Sequence, residues 1–143
     1  MESNFNFKNF SIVIPIFNEE EILEESTNAI FSLCKRMEID FEIIFSENGS
    51  TDKTKAIAEE LTNKHPEIKI ISNPEPNYGN ALKTGFKIAK NDLVISFDID
   101  YYSESFLSEA LKLESEYSGI TASKRLGSSE DLSLIHISEP TRP

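Results

Sequence analysis

The sequence predicts an α/β chain with a mostly parallel sheet and helices on both faces, and three observations predict it. Short apolar runs alternate with amphipathic stretches of helical length, the pattern of successive βαβ crossovers. The runs are continuous rather than alternating, as strands buried on both faces are. Polar segments follow the first, second and fourth runs, at the strand ends where open α/β sheets take ligands.

Each element has its own signal. Phe10 to Ile16 reads as a first strand, stopped by Pro15 and Asn18. Asn18 and Glu21 then occupy the N-cap and N3 positions of a capping box. The helix that follows places Ile22, Leu23, Ala29, Ile30, Leu33, Cys34 and Met37 on one stripe. A second strand is expected over Phe41 to Phe45, and a second helix over Thr51 to Lys64 with Ala56, Ile57 and Leu61 inward. Ile68 to Ile71 is a third strand; a loop rich in Asn and Pro, Ser72 to Tyr78, leads to a helix from about Gly79 to Lys90. Asp92 to Phe97 forms a fourth strand, Ser103 to Glu116 a helix with Phe106, Leu107, Ala110 and Leu111 inward, and Gly119 to Ser123 a fifth strand.

From Ser128 the periodicity stops, and two prolines among the last four residues fit neither a helix nor a central strand. Residues 128–143 therefore read as an irregular tail. Its ending resembles the translated read-through of a sequencing adapter, which sets the expected native end near Asp131 or Leu134, with foreign residues from about 132.

Composition narrows the function. At 143 residues the chain is long enough to bury the core of one domain. A net charge of −11 argues against nucleic acid as a partner. It also means that an anionic ligand needs a metal or local lysines to be held. The single Cys34 excludes an internal disulfide and suits a reducing compartment. His65 and His136 lie far apart with no cysteine partners, so no zinc site is legible. No apolar run reaches the ~18 residues of a membrane span, and the acidic N-terminus does not look like a signal peptide.

The fourth strand ends in the most informative residues, Asp98-Ile-Asp100. If strand geometry persists to its end, the two aspartates point the same way with Cα atoms roughly 6.5 Å apart. Two carboxylates at that spacing can share one hard divalent cation, leaving its other positions to water and phosphate. In the first loop, Pro15 stiffens the strand exit, Phe17 offers an aromatic face, and Asn18 and Glu19 offer hydrogen-bonding groups. In the second, Ser46 to Asp52, Gly49 permits a tight turn, Ser50 or Thr51 can cap the next helix, and Glu47 and Asn48 can meet base or ribose hydroxyls. Asn77 to Lys83 is a glycine-bearing helix start that can approach phosphate, with Lys83 one turn in. Each segment alone also reads as an ordinary capped turn.

Together, from about Asn9 to Arg125, these motifs resemble the family 2 glycosyltransferases of GT-A fold, especially the branch of dolichol-phosphate mannose synthase and polyprenol-phosphate sugar transferases. The matching residues are Ser11-Ile-Val-Ile-Pro-Ile-Phe-Asn-Glu-Glu20, Glu47-Asn-Gly-Ser-Thr-Asp-Lys-Thr54, Asn77-Tyr-Gly-Asn-Ala-Leu-Lys-Thr-Gly85 and Asp98-Ile-Asp100. The resemblance implies a Rossmann-like, GT-A-like nucleotide-diphospho-sugar transferase fold, truncated at the C-terminus, with residues 1–127 as a partial catalytic domain. It gives Pro15, Phe17, Glu19 and Glu47 to the nucleoside, adds Asn18 and Asn48 to the nucleotide-sugar site, and gives Asp98 and Asp100 to Mg²⁺ or Mn²⁺ against the diphosphate. Lys83 and Arg125 add charge-assisted contacts to the same oxygens. Three departures stand out: Glu47-Asn48 replaces the usual aspartate pair, Phe17 replaces a tyrosine, and Tyr102 stands where the mannose synthases carry a glutamine.

The implied partners are a nucleoside-diphosphate sugar and a lipid-phosphate or glycan acceptor. Relatives carry hydrophobic segments after the catalytic domain, so membrane association of the full-length protein, at the cytoplasmic face, is part of the expectation. The general base and acceptor loops come, in relatives, from sequence beyond this chain. The alternative reading is a non-catalytic nucleotide-sugar or partner-binding module. A nucleotidyltransferase would open with a glycine-rich loop after the first strand, and a dinucleotide-binding domain with G-x-G-x-x-G there; this chain has neither.

Overall fold

A computed structural model describes residues 9–74, 77–91, 93–100, 104–111, 119–122 and 133–135. Ten elements follow in chain order: β1 (Asn9–Ile16), α1 (Leu23–Arg36), β2 (Asp40–Asn48), α2 (Thr54–Lys64), β3 (Ile68–Asn73), α3 (Tyr78–Ile88), β4 (Val94–Phe97), α4 (Glu104–Leu111), β5 (Gly119–Ala122) and β6 (Ser133–Ile135). They build a six-stranded sheet in the order β3-β2-β1-β4-β5-β6. All pairs are parallel except β5 with β6. The α/β expectation therefore holds. β6 lies inside the stretch that the sequence reads as irregular, paired along β5 from Gly119↔Ile135 to Thr121↔Ser133.

Strand alternation divides the core in two. Phe10, Ile12, Ile14 and Ile16 of β1 share one face with Phe41, Ile43 and Phe45 of β2, and there they pack with Leu23, Ile30, Leu33 and Cys34 of α1 and Ala58 and Leu61 of α2. The other face presents Val13, Ile44 and Val94, covered by Ala89 with Leu82 and Phe86 of α3. Leu107 and Leu111 of α4 join the larger cluster. The side chains of Phe106 and Ala110 lie outside the described residues.

Several expected details change. β1 ends at Ile16 as expected, but Pro15 does not interrupt it: Pro15 pairs with Ser46. Ser11 N–H donates to Leu93 O at 2.9 Å, so odd-numbered residues of β1 aim their amides at β4, and that pairing ends at Val13↔Ser96. Proline has no N–H to donate, so the β1–β4 ladder stops there although β4 itself runs on to Phe97. The Asn18–Glu21 capping box does not form, because α1 begins at Leu23 with Ile22 at its N-cap and no side-chain cap. α2 begins at Thr54 rather than Thr51. Ala29 and Ala56 are exposed: the buried positions of α2 are Thr54, Ala58 and Leu61, spaced by four and three, and Ala56 falls off that stripe. Glu38, at φ 58°, turns the chain out of α1. Among the described residues no helix is long and apolar enough to cross a membrane.

Candidate functional site

The strand order places β1 between β2 and β4. Successive crossovers run from β1 to β3 on one side, then return past β1 to β4, so the loops after β1 and β4 part at a topological switch point. The strand ends are level there. Ile16 pairs with Glu47 and Asn48 with Asn73; counting on from Val13↔Ser96 sets Asp98 level with Pro15.

The first two loops interlock. Asn18 takes φ 53°, a left-handed conformation that asparagine tolerates better than most residues. Its Oδ1 accepts from Thr51 N–H at 2.8 Å, while its own N–H donates to Ser50 Oγ at 3.0 Å. Glu19 N–H donates to Thr54 Oγ1 at 2.7 Å. Lys53 N–H donates to Glu20 Oε1 at 2.9 Å, and Glu20 N–H approaches Asp52 Oδ2 at 3.4 Å. Burial pushes the Asp52 carboxyl up, but the Thr54 hydroxyl and amide and the Glu20 amide outweigh it, so the group titrates below the ordinary aspartate value. Each loop thus satisfies amides that the other leaves open.

Glu47 and Asn48 turn inward. Glu47 is 2% exposed, and its Oε2 accepts from Ser50 N–H to close the turn at Gly49, whose φ is 73°. Asn48 is 6% exposed, and its Oδ1 accepts from Asn77 N–H at 3.0 Å. These residues, which the sequence assigns to base or ribose hydroxyls, here hold loop amides. Asn77 in turn caps α3, accepting from Asn80 N–H at 2.9 Å. Ser46 Oγ donates to Ala81 O at 2.8 Å, which fixes the same helix start to β2. Gly79 has room for a Cβ, its nearest neighbour being Asn77 Oδ1 at 3.7 Å, and Lys83 is exposed.

Pro15 is buried at the strand exit, whereas Phe17 is 40% exposed, an unusual position for a large aromatic. Asp98 is half-buried and Asp100 exposed. β4 ends at Phe97, so both aspartates lie beyond the strand and Asp100 belongs to a turn; the strand geometry expected to align them does not persist. The donor set still suits a hard divalent cation, because two carboxylates at an accessible loop leave coordination positions for water and phosphate oxygens. Among the described residues no group of three or more His, Cys, Asp or Glu is placed to hold a metal ion. Arg125, Tyr102 and His136 lie outside the described residues. The sequence reading missed Glu20, Asp52 and Thr54 as parts of this site; their only signal was membership of the matched motifs.

Comparisons with known proteins bear on the family and the fold. A family model described as Glycosyl transferase family 2 matches residues 11–136. Undecaprenyl-phosphate 4-deoxy-4-formamido-L-arabinose transferase of Proteus mirabilis (strain HI4320) is 37% identical over 92 residues, which is 63% of this chain and 28% of that protein. The protein of the same name from Pectobacterium carotovorum subsp. carotovorum (strain PC1) is 36% identical over 98 residues, 66% of this chain and 30% of that protein. The chain thus spans less than a third of the length of the curated relatives it matches. In fold it is similar to a mannosyltransferase, PcManGT from Pyrobaculum calidifontis in complex with GDP-Man and Mn²⁺, with a TM-score of 0.62 and 19% identity over 82% of this chain and 36% of that one.

Proposed function

The chain belongs to glycosyl transferase family 2, and from that premise we propose that it forms the donor-binding part of an enzyme that moves a sugar from a nucleoside-diphosphate sugar to an acceptor. One observation carries the reading. The loops after β1, β2 and β4 stand side by side at the switch point, with an exposed aromatic face at Phe17 and two carboxylates at Asp98 and Asp100.

In this reading the nucleoside lies against Phe17, between the Pro15–Glu19 loop and the turn that Glu47 and Asn48 hold. Lys83 and Arg125 meet the diphosphate oxygens. Asp98 and Asp100 would hold Mg²⁺ or Mn²⁺, which would supply positive charge against the diphosphate. An acceptor oxygen attacks the anomeric carbon as its bond to the diphosphate breaks, and the nucleoside diphosphate leaves with the electron pair. The names of the curated relatives favour a polyprenol phosphate as acceptor. Such a phosphate is already anionic and needs little help from a general base, and it puts the reaction at the cytoplasmic face of a membrane.

The test is a thermal-shift panel of UDP-, GDP- and dTDP-sugars, each with Mn²⁺ and with chelator, using Asp98→Asn and Asp100→Asn as controls. One nucleotide should raise the melting temperature in the presence of metal, and either substitution should abolish the shift. A cooperatively melting chain that responds to none of them would overturn the donor reading. Binding without any transfer or hydrolysis in the full-length protein would favour a non-catalytic module.

A further inference from the structure

Thr54 opens α2, is fully buried, and has its own N–H capped by the Asp52 side chain. Its hydroxyl bridges two partners. Asp52 is ionised at neutral pH, so its Oδ1 can only accept, and the Thr54 hydroxyl proton goes to it. Glu19 N–H can only donate, and it meets the remaining lone pair of Thr54 Oγ1 at 2.7 Å from 35 residues away. Chemistry thereby fixes the direction of the whole relay, from Glu19 amide to Thr54 hydroxyl to Asp52 carboxylate. Asp52 Oδ1 also accepts from Thr54 N–H at 2.9 Å, which holds the carboxylate in place.

The anchored amide matters because of what precedes it. Asn18 sits at φ 53°, a conformation that persists only where the surroundings enforce it, and Phe17 stands exposed just before it. Fastening the amide after Asn18 fixes the direction in which Phe17 and Asn18 are presented. Without the Thr54 hydroxyl, Glu19 N–H would lose its partner and the left-handed turn one of its restraints. We propose that Thr54, oriented by Asp52, is a positioning residue for the donor site, acting through the Glu19 amide to hold the Phe17–Glu20 loop in its binding conformation. This rests on the donor-binding reading of that loop.

The experiment compares Thr54→Val, which keeps the shape and removes the hydroxyl, with Thr54→Ser, which keeps the hydroxyl. Affinity for the nucleotide found by the panel is measured by calorimetry with Mn²⁺ at a temperature where every variant is folded, and hydrogen exchange at the Glu19 amide is followed by NMR. Thr54→Val should weaken binding about tenfold, the scale of one lost hydrogen bond, and speed exchange at Glu19. Thr54→Ser should restore both to within about twofold, a rescue that a purely packing role would not give. Should Thr54→Val fail to fold, Asp52→Ala carries the same two expectations, since Asp52 is only half-buried. Wild-type affinity in Thr54→Val, or in Asp52→Ala where that variant stands in, would overturn the positioning role alone, as would failure of Thr54→Ser to rescue. A folded wild-type chain that binds no member of the panel would instead overturn the donor reading, and this proposal with it.

Discussion

A Cβ on Gly85 would collide with Cγ1 of Val13, so α3 lies against β1 with no space for even a methyl group between them. In an exposed helix, Gly→Ala would gain about 1 kcal/mol from helix propensity. Here the sign reverses, because Val13 is fully buried and β-branched and has little freedom to move. Gly85→Ala should destabilise the chain by about 1–3 kcal/mol, and adding Val13→Ala should recover part of that loss. Urea denaturation of the two single variants and the double variant measures the coupling; strictly additive effects would contradict the close approach.

Glu42 of β2 is a buried charge of the sheet, 1% exposed. Its Oε2 accepts from Ser11 Oγ at 2.6 Å and Lys90 N–H at 2.7 Å, and Lys69 Nζ stands 3.0 Å from Oε1. Burial pushes its carboxyl up, but the Lys90 amide, the Ser11 hydroxyl and Lys69 outweigh it, and the group titrates below the ordinary 4.5. As pH falls, the unfolded chain therefore takes up this proton first. The contribution of Glu42 to stability is full above 4.5 and is lost as pH drops through the lower folded value. Glu42→Gln should cost about 1–3 kcal/mol at neutral pH and show a smaller further loss in acid than the wild type. Denaturation of both proteins on either side of that value checks the sign.

Asn77 couples a helix cap to a neighbouring loop, accepting from Asn80 N–H while donating its own N–H to Asn48 Oδ1. Asn77→Ala should lower stability by about 1 kcal/mol, and Asn77→Asp, which can still accept, should stay within a few tenths. Equal losses in both variants would mean that the cap does not depend on the side-chain oxygen. Chemical denaturation distinguishes the two outcomes.

Cys34 is fully buried in the larger core cluster, and burial pushes its thiol up to about 12. A disulfide reagent should react with it far more slowly in the native chain than in denaturant, since the thiolate is the nucleophile. The unfolded thiol ionises near 9.0. The unfolded state then binds fewer protons, so stability should fall as pH rises above that value. Reaction at the unfolded rate without denaturant would place Cys34 outside the core.

Much of this architecture is legible in local pattern. The continuous apolar runs around Ile12, Ile43 and Ile95 mark β1, β2 and β4 because strands covered on both faces have no reason to alternate. Alanine is a weaker marker: Ala56 and Ala58 read alike in sequence, but only Ala58 faces the sheet. The burial of Thr54 has no sequence signal, because a polar residue does not advertise burial. Pro15 ends only the β1–β4 ladder, because its missing N–H lies on the side of β4 while the pairing with β2 runs on to Ile16.

The sequence by itself determined the α/β class, the order of the elements and the polar character of the loops at the strand ends, all of which follow from hydrophobic periodicity within short windows. It could not determine which loop residues face outward. Asn18, Glu20, Ser50, Asp52 and Thr54 carry ordinary capping side chains, and a cap most simply serves its own helix. They satisfy amides across two loops, Asp52 serving the Thr54 amide of its own helix as well, because the pairing of Ile16 with Glu47 sets the ends of β1 and β2 side by side. That adjacency joins residues more than 30 positions apart, and only the folded sheet supplies it.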